Sequence, residues 1–462
     1  MMISRRFVIP FGASVIPLAA SVAAIACSDP GETGGTGGSG PGVAGSSMAG
    51  SPAGGSAPVG GVGNTAGGPT AGTAGANGGS SSGASGGGAG GSPAGGAGGS
   101  AAGGPAGGSA GAAGSGGSGG GGSMNAEGPC DVYKKAGNEC VAAYSTIRRL
   151  SSAYKGPLYQ VRSGSNAMNT GSGGMLHDIP MTADGFGDAA AQNAVCPATT
   201  TCTVAKLYDQ SGRGNDLIVA KGGLTNGGQY AALDDFETIA NKGPLMVAGK
   251  SVYSLFMEAR QGYRISTVGA GMPRDAEPQG IYMLADGTRA GTACCWDFGN
   301  VTTNPKSYAE MNTLFFGSAF WGRGAGNGPW FGADFEAGVW MGGSRPGEPG
   351  WGGLNDARDA PPNMNNPSMR VKYALGFLKT STTYALRMAD LVAANTLTTA
   401  YEGPYPSTKH PDNQGAIVLG VGGDNSNNSF GTFYEGAIVK GYPAAATEQA
   451  IMDNVKAAGY GK

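Results

Sequence analysis

Histidine is almost absent from this chain, with His177 and His410 the only two in 462 residues. No Cys-x-x-Cys pair occurs either, so the usual nitrogen and sulfur ligands are missing and a protein-bound metal is not expected. The same scarcity leaves little for a Ser-His or Cys-His nucleophile, and no Gly-x-Ser-x-Gly elbow precedes a helical pattern. Charged residues make up 13 % of the chain, the net charge is −2, and there is no basic block. Nucleic acid and anionic membrane surfaces are therefore poor partners. Between Glu32 and Glu127 there is no charge, and between Phe11 and Tyr133 there is no aromatic ring. Residues 28–128 hold 43 of the 91 glycines and cannot bury a core, so they read as a disordered Gly/Ala/Ser/Pro-rich linker. The glycines keep no every-third-residue period, which excludes a collagen helix. As a flexible coil the segment would span roughly 50–60 Å.

Ahead of the linker, Arg5 and Arg6 precede an apolar run from Phe7 to Ile25 that closes in Ala26-Cys27. A positive start, an apolar middle and a small-residue exit make residues 1–27 an export signal, not a membrane span. Ala24-Ile25-Ala26-Cys27 resembles a bacterial lipobox, with Cys27 as the lipidated residue, although leucine is more usual at the position of Ala24. Ser4-Arg5-Arg6-Phe7 loosely resembles a twin-arginine signal, so Sec and twin-arginine export both stand. The expected location is the cell surface, as an outer-membrane lipoprotein, or the medium. Membrane contact is expected only through that lipid.

Residues 129–462 contain all five tryptophans and all seventeen tyrosines. They read as short β-prone runs separated by Gly, Asn and Pro, such as Leu158–Val161, Cys202–Tyr208, Gly280–Leu284 and Ala416–Val421. Helical periodicity is confined to Asp188–Ala194 and Thr447–Ala458. Many short strands without βαβ alternation predict an all-β domain, a two-sheet antiparallel β-sandwich of jelly-roll or concanavalin-like form.

Acids stand in two informative places. In Trp330-Phe331-Gly332-Ala333-Asp334-Phe335-Glu336, strand alternation sends Phe331, Ala333 and Phe335 to a core. Trp330, Gly332, Asp334 and Glu336 then share the open face. An aromatic ring beside paired carboxyls is what a sugar-cleaving cleft requires, although a solvated strand face gives the same pattern. Asp424 follows the most hydrophobic strand through Gly420-Val421-Gly422-Gly423, where a desolvated carboxyl keeps its proton, or where an Asx turn forms. Glu435 and Glu310 are further acids in weaker context. The polar run Tyr208–Asp216 reads as a structural turn held by Asp209 and Arg213.

With Cys27 assigned to the signal, six cysteines remain. Cys130 lies near Cys140 and Cys196 near Cys202, which leaves Cys294 and Cys295 as each other's partners or as two buried thiols.

Taken together, these segments resemble the catalytic domain of glycoside hydrolase family 54, the α-L-arabinofuranosidases. The resemblance is carried by Gly128–Tyr133, Tyr208–Asn215, Ala293-Cys294-Cys295-Trp296-Asp297-Phe298-Gly299-Asn300, Trp321-Gly322, Gly328-Pro329-Trp330, Gly422–Asn427 and Gly431–Gly436, in that order. It implies a retaining mechanism without cofactor, with Glu336 as nucleophile and Asp424 as general acid/base. It also implies a vicinal Cys294–Cys295 disulfide against the sugar, Trp321 lining the pocket, and Asp334 and Gly423 as pocket residues. The pairs Cys130–Cys140 and Cys196–Cys202 fit the family's disulfides.

Two departures accompany the match. The family tends to carry two sugar-contacting asparagines after the nucleophile, where this chain has Ala337-Gly338. Its usual C-terminal arabinose-binding β-trefoil has no counterpart before Lys462. The expected activity is exo-acting removal of terminal arabinofuranosyl residues from arabinoxylan, arabinan or their oligosaccharides by a monomer. The plant cell-wall polysaccharide is the partner. The alternatives are a non-catalytic surface carbohydrate-binding protein, or a glycosidase shifted to another furanoside or a β-xyloside.

Overall fold

The computed structural model describes residues 127–224, 230–307, 310–318, 321–335, 338–353, 359–406 and 412–462. The signal, Cys27, the linker, Glu336, Ala337 and His410 lie outside the described residues.

Two antiparallel sheets face each other, as the run of short alternating strands predicts. One sheet has, among the described residues, the strand order Cys140–Ser145, Gly431–Lys440, Gln279–Ala285, Ala374–Thr380, Thr383–Asp390, Thr398–Pro404, with Leu255–Met257 also paired to Gly431–Lys440. The other runs Val339–Trp340, Trp330–Asp334, Met311–Gly317, Asp297–Val301, Ala416–Leu419, Tyr263–Ile265, Leu217–Val219, Cys202–Leu207, Tyr159–Ser163, Met175–Ile179. All ladders between these strands are antiparallel. A hairpin of Pro244–Val247 and Lys250–Tyr253 stands apart.

Period-two alternation explains where each side chain goes. From the second sheet Phe298, Leu314, Phe316, Phe331, Ala333, Ile417 and Leu419 point into the space between the sheets. There they meet Ile281, Met283, Leu378, Leu386, Met388 and Ile438 of the first. Phe316 stacks on Phe331 with ring centroids 4.4 Å apart, close enough to contribute beyond simple area burial.

The far face of the first sheet is covered as well, by helices Pro129–Lys135 and Ala445–Ala457 and by the hairpin. In Ala445–Ala457 the buried residues Thr447, Glu448, Ile451, Met452 and Val455 form one stripe, and the helix ends at Gly459, whose φ of +92° suits a left-handed stop. The short helix Pro129–Lys135 was not anticipated, because seven residues hold less than two periods of pattern. On this covered face Arg148 makes a two-pronged ion pair with Glu435, at 2.6 and 2.7 Å, and Tyr460 donates to the same carboxylate at 2.7 Å. Glu435, weighed as a catalytic acid, is therefore a fully buried structural anion.

The turn at Tyr208–Asp216 is held by Asp209 alone of the two residues expected there. Its carboxylate accepts from the backbone N–H of Ala143, Ser211 and Asn215 at 2.9–3.1 Å. Arg213 points outward to Glu139 instead, because its long side chain gains more from water and an exposed partner than from the crowded turn.

The structure joins Cys130 to Cys140, Cys196 to Cys202, and Cys294 to its neighbour Cys295.

Candidate functional site

The outer face of the second sheet carries the site. Across three strands Asp297 pairs with Phe315 and Phe315 with Gly332, while Thr313 pairs with Asp334. These residues alternate with the inward Phe298, Leu314 and Ala333, so Asp297, Phe315, Thr313, Trp330, Gly332 and Asp334 share the outward side. Val339 and Met341 pack over Gly332, 2.7–3.1 Å from where a Cβ would stand, within a cluster apart from the main core: Cys294, Cys295, Phe315, Trp321, Trp330, Val339 and Met341.

The vicinal disulfide sits directly on this patch. Both sulfurs and a carboxylate oxygen of Asp334 lie within 4.8 Å of one another, and Cys295 Sγ is 3.7 Å from Asp334 Oδ2. Three such groups would suggest a metal site if the sulfurs were thiolates. Joined in a disulfide they are not, and one carboxylate remains as a hard donor. What the pair offers is an apolar plate beside an acid.

Asp424 approaches from the loop after Ala416–Leu419. Gly422 lies between it and the disulfide, since a Cβ on Gly422 would stand 3.3 Å from Asp424 Oδ1 and 3.4 Å from Cys295 Cβ. The two segments are tied through the backbone, from Cys295 N–H to the Ser426 carbonyl and from Asn428 N–H to the Cys294 carbonyl, both at 3.3 Å. Asp424 Oδ1 accepts from the Ser426 N–H at 2.9 Å and from the Ser426 hydroxyl. The Asx turn is thus present, and it fixes one carboxylate oxygen while Asp424 stays half-buried.

Gly423 is held from behind. Its carbonyl accepts from Arg264 Nη1 at 2.6 Å. Burial lowers the Arg264 pKa to about 10 against the opposing pull of Asp424, which keeps the guanidinium cationic at neutral pH.

Asp297 was quoted in the Cys-Cys-Trp-Asp run but not singled out. It is fully buried, and neither oxygen has a hydrogen-bond partner among the described residues. Burial above all, then the charges of Asp334 and Asp424, pushes its pKa well above the usual carboxylate range. The shift favours the neutral carboxyl beside the two acids.

The structure thus brings together Cys294, Cys295, Trp321, Trp330, Asp334, Gly423 and Asp424, drawn from four separate stretches of sequence. Glu336 lies outside the described residues. Glu310 is at the far end of the adjoining strand, against Ser307. The Ala337-Gly338 departure has a steric side: a Cβ on Gly338, at φ +152°, would fall 2.0 Å from the Gly352 carbonyl oxygen. Backbone of the Gly350–Gly353 segment fills the space that any side chain at 338 would need.

Residues 129–461 match the protein family described as "Alpha-L-arabinofuranosidase B, catalytic". Over 343 residues the chain is 39 % identical to a protein of Aspergillus flavus named probable alpha-L-arabinofuranosidase B, a match covering 72 % of this chain and 63 % of that one. It is also similar to two solved structures, each at 35 % identity over 72 % of this chain. One is a GH54 α-L-arabinofuranosidase soaked with a cyclic sulfate inhibitor (TM-score 0.62, 66 % of that chain covered). The other is an arabinofuranosidase complexed with arabinofuranosyl-α-1,2-xylobiose (TM-score 0.63, 65 % covered). The chain spans less than two thirds of the length of these relatives.

Proposed function

Because the chain belongs to glycoside hydrolase family 54, the family of α-L-arabinofuranosidase B catalytic domains, we propose that it cleaves terminal α-L-arabinofuranosyl residues from arabinoxylan, arabinan or their oligosaccharides. The observation that carries this reading is the convergence of an apolar disulfide plate, two indoles and two acids on one sheet face. A sugar ring has apolar C–H faces and a polar rim. The plate and the rings accept the faces, and Asp334 accepts hydroxyl protons at the rim.

In the proposed reaction the Glu336 carboxylate attacks the anomeric carbon while Asp424 gives its proton to the departing oxygen. The C–O bond to the aglycone breaks as the bond to Glu336 forms. Asp424, now ionised, takes a proton from water. The resulting hydroxide equivalent displaces Glu336 and releases arabinose of unchanged configuration. Burial, then the charges of Asp334 and Asp424, favours the neutral form of the Asp297 carboxyl.

A panel of 4-nitrophenyl glycosides tests the substrate. The α-L-arabinofuranoside is expected to turn over fastest. Faster turnover of the β-xyloside or another furanoside would reassign the specificity, and none from folded protein would make the sandwich a binding module.

Replacing Cys294 and Cys295 together by alanine removes the plate and leaves the sheet behind it. KM is expected to rise on the order of tenfold, the scale of losing one apolar contact, with little change in the unfolding midpoint. Loss of the fold without a change in KM would make the pair structural.

We further propose that the chain is exported and anchored by lipid on Cys27, from the Arg5-Arg6 start, the apolar run and the Ala26-Cys27 exit. Labelled palmitate is expected to enter the membrane-bound wild-type protein and not Cys27→Ala. Equal fractionation of the two in the soluble pool would remove the anchor.

A further inference from the structure

The loop bearing Asp424 rests on a buried carboxyl that belongs to a different segment. Asp235 is fully buried. Asn427 Nδ2 donates to Asp235 Oδ1, and Asn425 Nδ2 reaches the same oxygen at 3.5 Å. The two amides also donate to backbone carbonyls of the segment leading into Asp235: Asn425 to Ala231 at 3.2 Å, Asn427 to Tyr230 at 3.3 Å.

Asn425 and Asn427 flank Ser426, whose N–H and hydroxyl hold the Asp424 carboxylate. Asn425 is also the one residue of this loop outside glycine with φ in the left-handed region, +67°, a conformation that costs energy without local support. Its amide and that of Asn427 supply the support. The contacts therefore form one chain, from Asp235 through the two asparagines to Ser426 and so to the Asp424 carboxyl. The backbone is fixed from the other side as well, by Leu224 N–H on the Asp424 carbonyl at 3.0 Å and Arg264 on Gly423.

We propose that Asp235 is a positioning residue for the acid/base Asp424, holding its carboxyl in the orientation that delivers a proton to the leaving oxygen. The proposal rests on the furanosidase reading above. It goes beyond it because Asp235 belongs to a separate segment and meets the Asp424 loop through Asn425 and Asn427. Either protonation state of Asp235 keeps an oxygen that accepts from the amides, so Asp235→Asn conserves that contact, whereas Asp235→Val removes it and leaves the amides only their backbone carbonyl partners.

A misplaced acid has a signature that general loosening lacks. A 4-nitrophenyl group leaves as a stabilised anion and needs little protonation, whereas methoxide needs a full proton. The experiment compares kcat/KM of the full chain and its variants on 4-nitrophenyl and methyl α-L-arabinofuranoside. Asp235→Val is expected to lose about 100-fold or more on the methyl glycoside and less than about tenfold on the aryl one. Asp235→Asn is expected to recover most of the methyl-glycoside rate.

Equal losses on the two substrates, or no loss on either, would overturn the proposal. If Asp235→Val does not unfold cooperatively, Asn427→Ala breaks the same link from the loop side, and the same two outcomes decide. The unmutated chain separates this inference from the reading beneath it. If wild type hydrolyses neither glycoside, the furanosidase reading fails. If it hydrolyses both and the variants show no leaving-group dependence, the positioning role alone fails.

Discussion

Replacing Glu336 by glutamine is expected to lower kcat on 4-nitrophenyl α-L-arabinofuranoside by about 10³-fold or more, the scale of removing a covalent nucleophile. An amide has nearly the shape of the carboxylate and neither its charge nor its nucleophilicity. Substrate binding and the unfolding midpoint should therefore change little. The assignment rests on position: Glu336 is two residues after Asp334, whose carboxyl lies beside the disulfide plate. Strand alternation predicts the same side for both. Turnover of Glu336→Gln within about tenfold of wild type would discard this nucleophile. Asp334→Asn would then be the next variant to assay, since Asp334 is the other acid of that strand.

Replacing Asp424 by alanine should fail in a different way, because the proposed reaction uses this residue twice. On a glycoside with a poor leaving group the missing proton is expected to cost about 10²–10⁴-fold. On the 4-nitrophenyl substrate the first step is nearly spared, and the second stalls for want of a base. One equivalent of nitrophenol should then appear as a burst before slow turnover. Azide attacks the glycosyl-enzyme without base assistance, so its addition should restore release of nitrophenol. A variant that loses all substrates equally, with no burst and no rescue by azide, would show that Asp424 is structural. The Asx turn it makes with Ser426 gives that outcome a concrete cause to be excluded.

The architecture was legible because the determinants of a two-sheet sandwich are local. Alternation in Trp330–Phe335 sent Phe331, Ala333 and Phe335 to the core, and all three are there. Gly, Asn and Pro marked the strand ends. The membership of the patch was legible only through the family resemblance. Trp321, the disulfide and Asp424 meet by the pairing of strands far apart in sequence, and no periodicity within a strand encodes which neighbour it takes.

Residues that act through others were missed for the same reason. Asp297 looks like an ordinary strand acid until the fold buries it within reach of the charges of Asp334 and Asp424. Asp235 sits in a run, Ala231-Ala232-Leu233-Asp234-Asp235, that carries no motif at all. Glu435 illustrates the converse. In sequence it stands in an aromatic setting like the proposed site acids, and only the fold shows it buried in an ion pair with Arg148.

The measurement that tests the account most directly is the identity of the first sugar released. Proton NMR during early hydrolysis of 4-nitrophenyl α-L-arabinofuranoside by the full chain should show the α-anomer of arabinofuranose first, with the β-anomer growing in only as the free sugar equilibrates. That order follows from two displacements at one carbon, a mechanism that requires carboxyls about 5–5.5 Å apart. The β-anomer appearing first would mean a single displacement by water, and would contradict both the nucleophile and the double role of Asp424.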